Sequence, residues 1–119
     1  MIDIQNITVQ FGERKVLNDI AIQFHPGELI GLVAPNGTGK STLMNVIMNY
    51  LPPTSGKVAF RDGLVYSSKK NEVKIHQFVS MMPDQSDLYN HLSGRDHLKM
   101  FAMMWESDKK LIDETIDVL

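Results

Sequence analysis

Residues 34–42 run Ala-Pro-Asn-Gly-Thr-Gly-Lys-Ser-Thr. Glycine lets a loop turn tightly and come close to a ligand, and loop N–H groups that feed into a helix start gather partial positive charge. With an ammonium at Lys40 and a hydroxyl at Ser41, the chemistry on offer is the holding of a polyphosphate. Loop and helix N–H groups would meet the oxygens, Lys40 the terminal phosphates, and Ser41 a Mg²⁺ ion. The candidate phosphate-binding residues are therefore Asn36, Gly37, Thr38, Gly39, Lys40, Ser41 and Thr42, with Ser41 also a metal ligand. One position departs from the pattern G-x-x-x-x-G-K-[ST]: Ala34 stands at the first glycine. Alanine is tolerated there if the backbone has negative φ, which is the expectation; positive φ would strain the loop by roughly 1 kcal/mol.

Such a loop acts only if a strand delivers it and a helix follows it. "ELIGLVA", residues 28–34, is a short continuous apolar run, as expected of a strand buried on both faces. After the loop, Leu43, Val46, Ile47, Tyr50 and Leu51 recur at helical spacing, and Pro52-Pro53 are expected to stop that helix. Ahead of it, Ile2, Ile4, Ile7, Val9 and Phe11 nearly keep a period of two, which predicts a strand over 2–11 with a bulge between Ile4 and Ile7. Ile20, Ile22 and Phe24 predict a second strand, antiparallel to the first. "TSGKVAFRDG" predicts a turn, a short strand and a turn; residues 64–77 are polar, with local helix; "FVSMM", 78–82, predicts another strand. Helices are expected from about Ser93 to Trp105, with Leu98, Phe101, Ala102 and Trp105 on one side, and from about Asp108 to Leu119.

Composition bounds the rest. At 119 residues, 43% hydrophobic and 22% charged, the sequence suits a single folded soluble domain or part of one. Twelve basic against fourteen acidic residues give a net charge of −2, which disfavours nucleic-acid binding through phosphate neutralisation. The absence of cysteine excludes disulfides, thiolate zinc sites and cysteine nucleophiles, and suits a reducing compartment. The first eleven residues lack the basic flank and apolar block of a signal peptide, and no apolar run is long enough to insert directly in a membrane.

The segment "VQFGERKVLNDIAIQFHPGELIGLVAPNGTGKSTLMNVIMNYLPPTSGKV" resembles the opening of the nucleotide-binding domain of ABC transporters in order, spacing and character. The resemblance implies an α/β, P-loop NTPase-like fold, here incomplete. It would comprise an antiparallel β subdomain (1–27 and 57–66), the P-loop strand and helix (28–51), the Q-loop region (78–92) and the start of a helical subdomain (93–119). By that likeness Phe11 takes the aromatic position that stacks on adenine, with Val16 beside it; on residue type alone Phe11 is a strand-end core aromatic. "MMPDQSDLYNHLSGRDHL" resembles the family's Q-loop region in its exporter-like form. Asp84 then stands where most members have glutamine, with Gln85 one position late. It is either a second contact to the hydration shell of Mg²⁺ or a solvated loop carboxylate. The implied cofactors are ATP and Mg²⁺. The implied partners of the full-length parent are a second ATPase subunit and a membrane-spanning transporter subunit that would hold it at the inner face of the cell membrane, in the cytoplasm.

Hydrolysis in this family needs an LSGGQ signature, a Walker B aspartate with a following glutamate, and a later histidine. "LSGRD", 92–96, and "LIDE", 111–114, imitate the first two. Ser93 and Asp96, however, fit the capping box of a helix start, and "LIDE" follows Asp108, Lys109 and Lys110 and keeps a helical period. Asp113 and Glu114 are accordingly expected on a solvated helix face. The chain is thus expected to stop early in the helical subdomain and to bind Mg-ATP without hydrolysing it alone. The alternatives are a soluble, non-transport ATPase of the same superfamily acting in repair or translation, and a partly folded fragment without activity. Met100, Met103 and Met104 form an adaptable apolar face, suited to a docking groove or to packing within the subdomain. His25, His76, His91 and His97 show no ligand spacing and are assigned neither metal nor catalysis.

Overall fold

The structure, a computed structural model, describes residues 1–82, 89–104, 110, 113 and 114. It divides into two compact units, Met1–Ile75 and His76–Leu119.

The first unit is built on an antiparallel sheet of order β2-β1-β3, formed by β1 (Ile2–Phe11), β2 (Arg14–Phe24) and β3 (Ser55–Phe60). Ile4 and Ile7 are three residues apart, so a regular strand would point them to opposite faces. The chain solves this with a bulge: Ile4 pairs with Ile22 and Ile7 with Ile20, so that two β1 residues oppose one on β2. Asn6 takes the bulge with φ 52°, and Ile4, Ile7 and Val9 are all buried. The neighbouring irregularity puts Asp19 at φ 54°, and the amide of Asn6 donates to its carboxylate at 2.8 Å. Asn and Asp accept this left-handed backbone more readily than other side-chain-bearing residues. On the other side, Gly56 sits at φ 86°, where a Cβ would collide with the carbonyls of Gln5 and Asn6.

Helix α1 (Lys40–Ile47) buries Leu43, Val46 and Ile47. It ends before Tyr50, Leu51 and the prolines expected to stop it. Asn49 adopts φ 61°, its N–H donates to the Val46 carbonyl at 3.1 Å, and that of Tyr50 donates to the Asn45 carbonyl at 2.8 Å. This is a Schellman ending with asparagine in the glycine role. After β3, a 3-10 turn (Arg61–Gly63) leads towards α2 (Lys69–His76), the local helix expected within 64–77. Between them Tyr66 packs edge-to-face on Phe60, with centroids 5.3 Å apart, and its hydroxyl donates to the Ile47 carbonyl at 3.0 Å. Burial, with Glu72 and Tyr50 adding to it, raises the Tyr66 pKa well above that of a free phenol, so the donor stays protonated.

The buried strand expected at 28–34 does not form. Residues 28–34 belong to no strand, and Leu29 and Val33 are almost fully exposed, at 102% and 95%. A parallel core strand exists only through neighbours that take up its backbone groups, and no described residue pairs with this segment.

In the second unit, residues 78–82 likewise form no strand, for the same lack of a pairing partner among the described residues. Helix α3 (Gly94–Met104) starts as the capping box requires. The Ser93 hydroxyl donates to the Asp96 carboxylate at 2.6 Å, and the Asp96 N–H returns to the Ser93 oxygen at 3.2 Å. The Ser93 hydroxyl, and the Ser93 N–H that also donates to the Asp96 carboxylate at 3.4 Å, hold that carboxyl below the usual aspartate range. His97 closes the same helix start from inside: its Nδ1 meets the Ser93 carbonyl at 3.0 Å and its Nε2 accepts the Tyr89 N–H at 2.9 Å. The side of α3 that carries Leu98, Phe101 and Ala102 is only partly buried. Ala102 is buried with His97, whereas Leu98 and Phe101 are exposed, as are Met103 and Met104. Lys110, Asp113 and Glu114 are helical and exposed, in keeping with a solvated face for the acidic pair. Trp105 and most of the expected helix from 108 lie outside the described residues.

Candidate functional site

The phosphate loop leads directly into α1. Gly37 and Gly39 have φ 79° and 97°, and Gly39 takes the N-cap position without any side-chain cap. A Cβ on Gly39 would lie 3.0 Å from the Val16 carbonyl and 2.9 Å from Leu17 Cδ2, so glycine is what lets the loop lie against β2. Ala34 is not in the left-handed region, so its side chain does not strain the loop.

The N–H groups of Gly37, Gly39, Lys40 and Ser41 donate to no other described group at hydrogen-bonding geometry. Such groups at a helix start are open to an anion. The Lys40 ammonium folds back over the loop, donating to the Ala34 carbonyl at 2.5 Å and the Pro35 carbonyl at 2.8 Å. An ammonium has three hydrogens, so one remains for a ligand. The Thr38 hydroxyl donates to the Pro35 carbonyl at 2.7 Å and braces the loop from within.

Val16, Asn36, Gly37, Gly39, Lys40, Ser41 and Thr42 line one pocket of 220 Å³. Of the expected site residues, Thr38 and Phe11 are not part of its wall. Phe11 ends β1 beside the Gly12-Glu13 turn and is 54% exposed, so it is not the core aromatic its residue type alone suggests. Asp84 lies outside the described residues. One contact had no signal in the sequence: Arg14, the cross-strand partner of Phe11, donates to the Gly37 carbonyl at 3.4 Å. A lone arginine after a turn looks like any other solvated charge.

The family model described as ABC transporter matches residues 17–118. The chain belongs to the ABC transporter family. Among the ABC relatives, the zinc import ATP-binding protein ZnuC of Yersinia pestis bv. Antiqua (strain Antiqua) is 44% identical over 64 residues, 54% of this chain and 25% of the relative. YdbJ of Bacillus subtilis (strain 168), an uncharacterized ABC transporter ATP-binding protein, is 32% identical over 117 residues, 98% of this chain and 36% of the relative. The chain thus spans between a quarter and about a third of the curated relatives it matches. The fold is similar to that of MJ0796, a bacterial ABC transporter cassette solved as a dimer, with a TM-score of 0.75 at 24% identity over 88% of this chain and 48% of that one. The same cassette was also solved with ADP and Pi bound, with a TM-score of 0.73 at 23% identity over 88% of this chain and 48% of that one. The α/β, P-loop NTPase-like fold, incomplete in this chain, and its membership of the ABC transporter family agree with the expectation from the sequence. No described helix is long and apolar enough to cross a membrane.

Proposed function

We propose that this chain supplies the nucleotide-holding part of an ATP-binding transporter subunit and that it binds Mg-ATP at residues 36–42. The observation that carries this is the set of undonated N–H groups at the start of α1, beside the Lys40 ammonium and in one pocket. Uncapped helix N–H groups next to a cation suit the β- and γ-phosphates. Ser41, whose side chain is exposed at the same helix start, would hold Mg²⁺, which neutralises the phosphate charge. Asn36, Gly37, Thr38, Gly39 and Thr42 would shape the cradle, Phe11 and Val16 would receive adenine, and Asp84 would approach the metal's water shell.

ZnuC is named for zinc import, while residues 81–98 resemble an exporter-like form. The proposal takes what these share, an ATP-binding subunit working with a membrane-spanning partner and a second ATPase subunit at the inner face of the membrane. Within it, residues 1–27 and 57–66 form the β subdomain, 28–51 the P-loop core, 78–92 the Q-loop region and 93–119 the start of the helical subdomain. Binding is the activity proposed for these residues, and hydrolysis is not.

The test compares Mg-ATP with inorganic tripolyphosphate on the wild type and Phe11→Ala. Loss of one aromatic stacking partner weakens base binding by about 1–3 kcal/mol. The variant should therefore lose affinity for ATP and keep its affinity for tripolyphosphate. Equal ATP binding by both proteins would remove Phe11 from the site.

A further inference from the structure

The sequence holds asparagine at 6, 18, 36, 45, 49, 71 and 90, and only Asn36 is followed by glycine. That pair carries a chemistry of its own. The backbone nitrogen of residue n+1, once deprotonated, can attack the side-chain amide carbon of an asparagine at n. The new C–N bond closes a five-membered succinimide and expels the amide nitrogen as ammonia. Water then opens the ring at one carbonyl or the other, giving aspartate or isoaspartate. The step needs no oxidant or reductant, and its only co-reactant is water. A following side chain hinders the attack, and glycine has none.

The local structure favours it. Asn36 and Gly37 are both exposed and lie in a turn. No hydrogen bond holds the Asn36 side chain among the described residues, and the Gly37 N–H donates to none of them. A Cβ placed on Gly37 would meet nothing within 4 Å, and the Arg14 contact at 3.4 Å is to its carbonyl and leaves its N–H open. The other asparagines all precede residues that carry a side chain. Asn6 is tied to Asp19, Asn45 lies inside α1, and Asn71 is held by Val65 and Ser67.

We propose that Asn36 is a deamidation site within the phosphate loop, and that a polyphosphate seated on the loop protects it. The protective half rests on the Mg-ATP site proposed above. A phosphate oxygen that accepts the Gly37 N–H removes the nucleophile, and a filled pocket restrains the turn. Deamidation in turn damages the cradle. Aspartate puts a negative charge in the wall of a site built for phosphate, and isoaspartate adds a methylene to the backbone just before Gly37, which misplaces the loop N–H groups. The chain would thus lose nucleotide affinity with age when empty and keep it when occupied.

The experiment incubates the purified chain in warm, mildly alkaline buffer and follows each asparagine by peptide mass spectrometry. Three arms are run: no ligand, saturating Mg-ATP, and Lys40→Ala with Mg-ATP. Calorimetry on the same samples reports binding. The expected result is amide loss at Asn36 severalfold faster than at any other asparagine, slowed severalfold by Mg-ATP in the wild type and not in Lys40→Ala. Asp62-Gly63 shares the glycine successor but has no amide to lose, so it adds nothing to the mass gain. An Asn36 rate no faster than the others overturns the proposal. Fast loss at Asn36 with no slowing, although calorimetry shows Mg-ATP bound, overturns the protective half. Fast loss with no heat of binding overturns the Mg-ATP reading and with it the protection, while the deamidation site stands. Asn36→Asp, in a protein that melts like the wild type, is expected to bind Mg-ATP at least about tenfold more weakly, since a like charge close to the phosphates opposes them. Unchanged affinity in that variant would overturn the claimed damage.

Discussion

Gly37 and Gly39 lie two residues apart in the loop and both have positive φ, yet alanine should affect them unequally. An L-residue forced into the left-handed region loses about 1–2 kcal/mol. Replacing glycine returns about 0.4–1 kcal/mol through the unfolded chain. Around Gly37 there is open space, so Gly37→Ala should lower stability by only about 1 kcal/mol. At Gly39 the added methyl meets Val16 Cγ1 and the Val16 carbonyl at 3.0 Å and Leu17 Cδ2 at 2.9 Å. The side-chain tips can swing away. The carbonyl belongs to the bulged residue of β2, held between Leu17 and Lys15, whose pairs with Val9 and Gln10 limit how far it can move. Overpacking of this kind adds about 1–3 kcal/mol. Urea unfolding followed by circular dichroism measures the difference. For a urea dependence of about 1–3 kcal/mol per molar, the Gly39→Ala midpoint should fall below that of Gly37→Ala by about 1 M. Equal midpoints, or the reverse order, would refute the idea that Gly39 exists to let the loop lie against β2.

Tyr66→Phe keeps the ring on Phe60 and deletes the hydroxyl bonded to the Ile47 carbonyl, so the same unfolding assay should show a loss of about 1–2 kcal/mol. Ala34→Gly should leave Mg-ATP affinity nearly unchanged in calorimetry, because Ala34 is not in the left-handed region. A large gain would show a strained loop. Asp96 has a folded pKa below its unfolded one, so its support of α3 is present above the ordinary aspartate pKa of about 3.9 and is lost as pH falls through the depressed value. Acid titration of helix content should therefore show a step below that range which Ser93→Ala abolishes; an unchanged step would assign it to another group.

Where residue types report local physics, the sequence was legible. The slip from Ile4 to Ile7 announced a bulge because parity alone forces one, and Ser93 with Asp96 announced a helix start because the N–H groups of both residues are satisfied by those side chains. The loop entering α1 was legible for the same reason. Features set by distant partners were not. "ELIGLVA" has the composition of a buried strand, but no described residue pairs with it and its side chains stand open. The end of α1 was hidden because Asn49 does the work usually signalled by glycine, several residues before the prolines. Arg14 reaching Gly37 depends on the β1–β2 hairpin lying beside the loop, which no local pattern encodes.

The measurement that bears most directly on the proposed function is calorimetric titration of the purified chain with Mg-ATP, run beside Lys40→Ala. Saturable binding by the wild type, weakened at least about tenfold by loss of the ammonium that folds over Ala34 and Pro35, is the predicted result. No binding by the wild type, or equal affinity in both proteins, would contradict it.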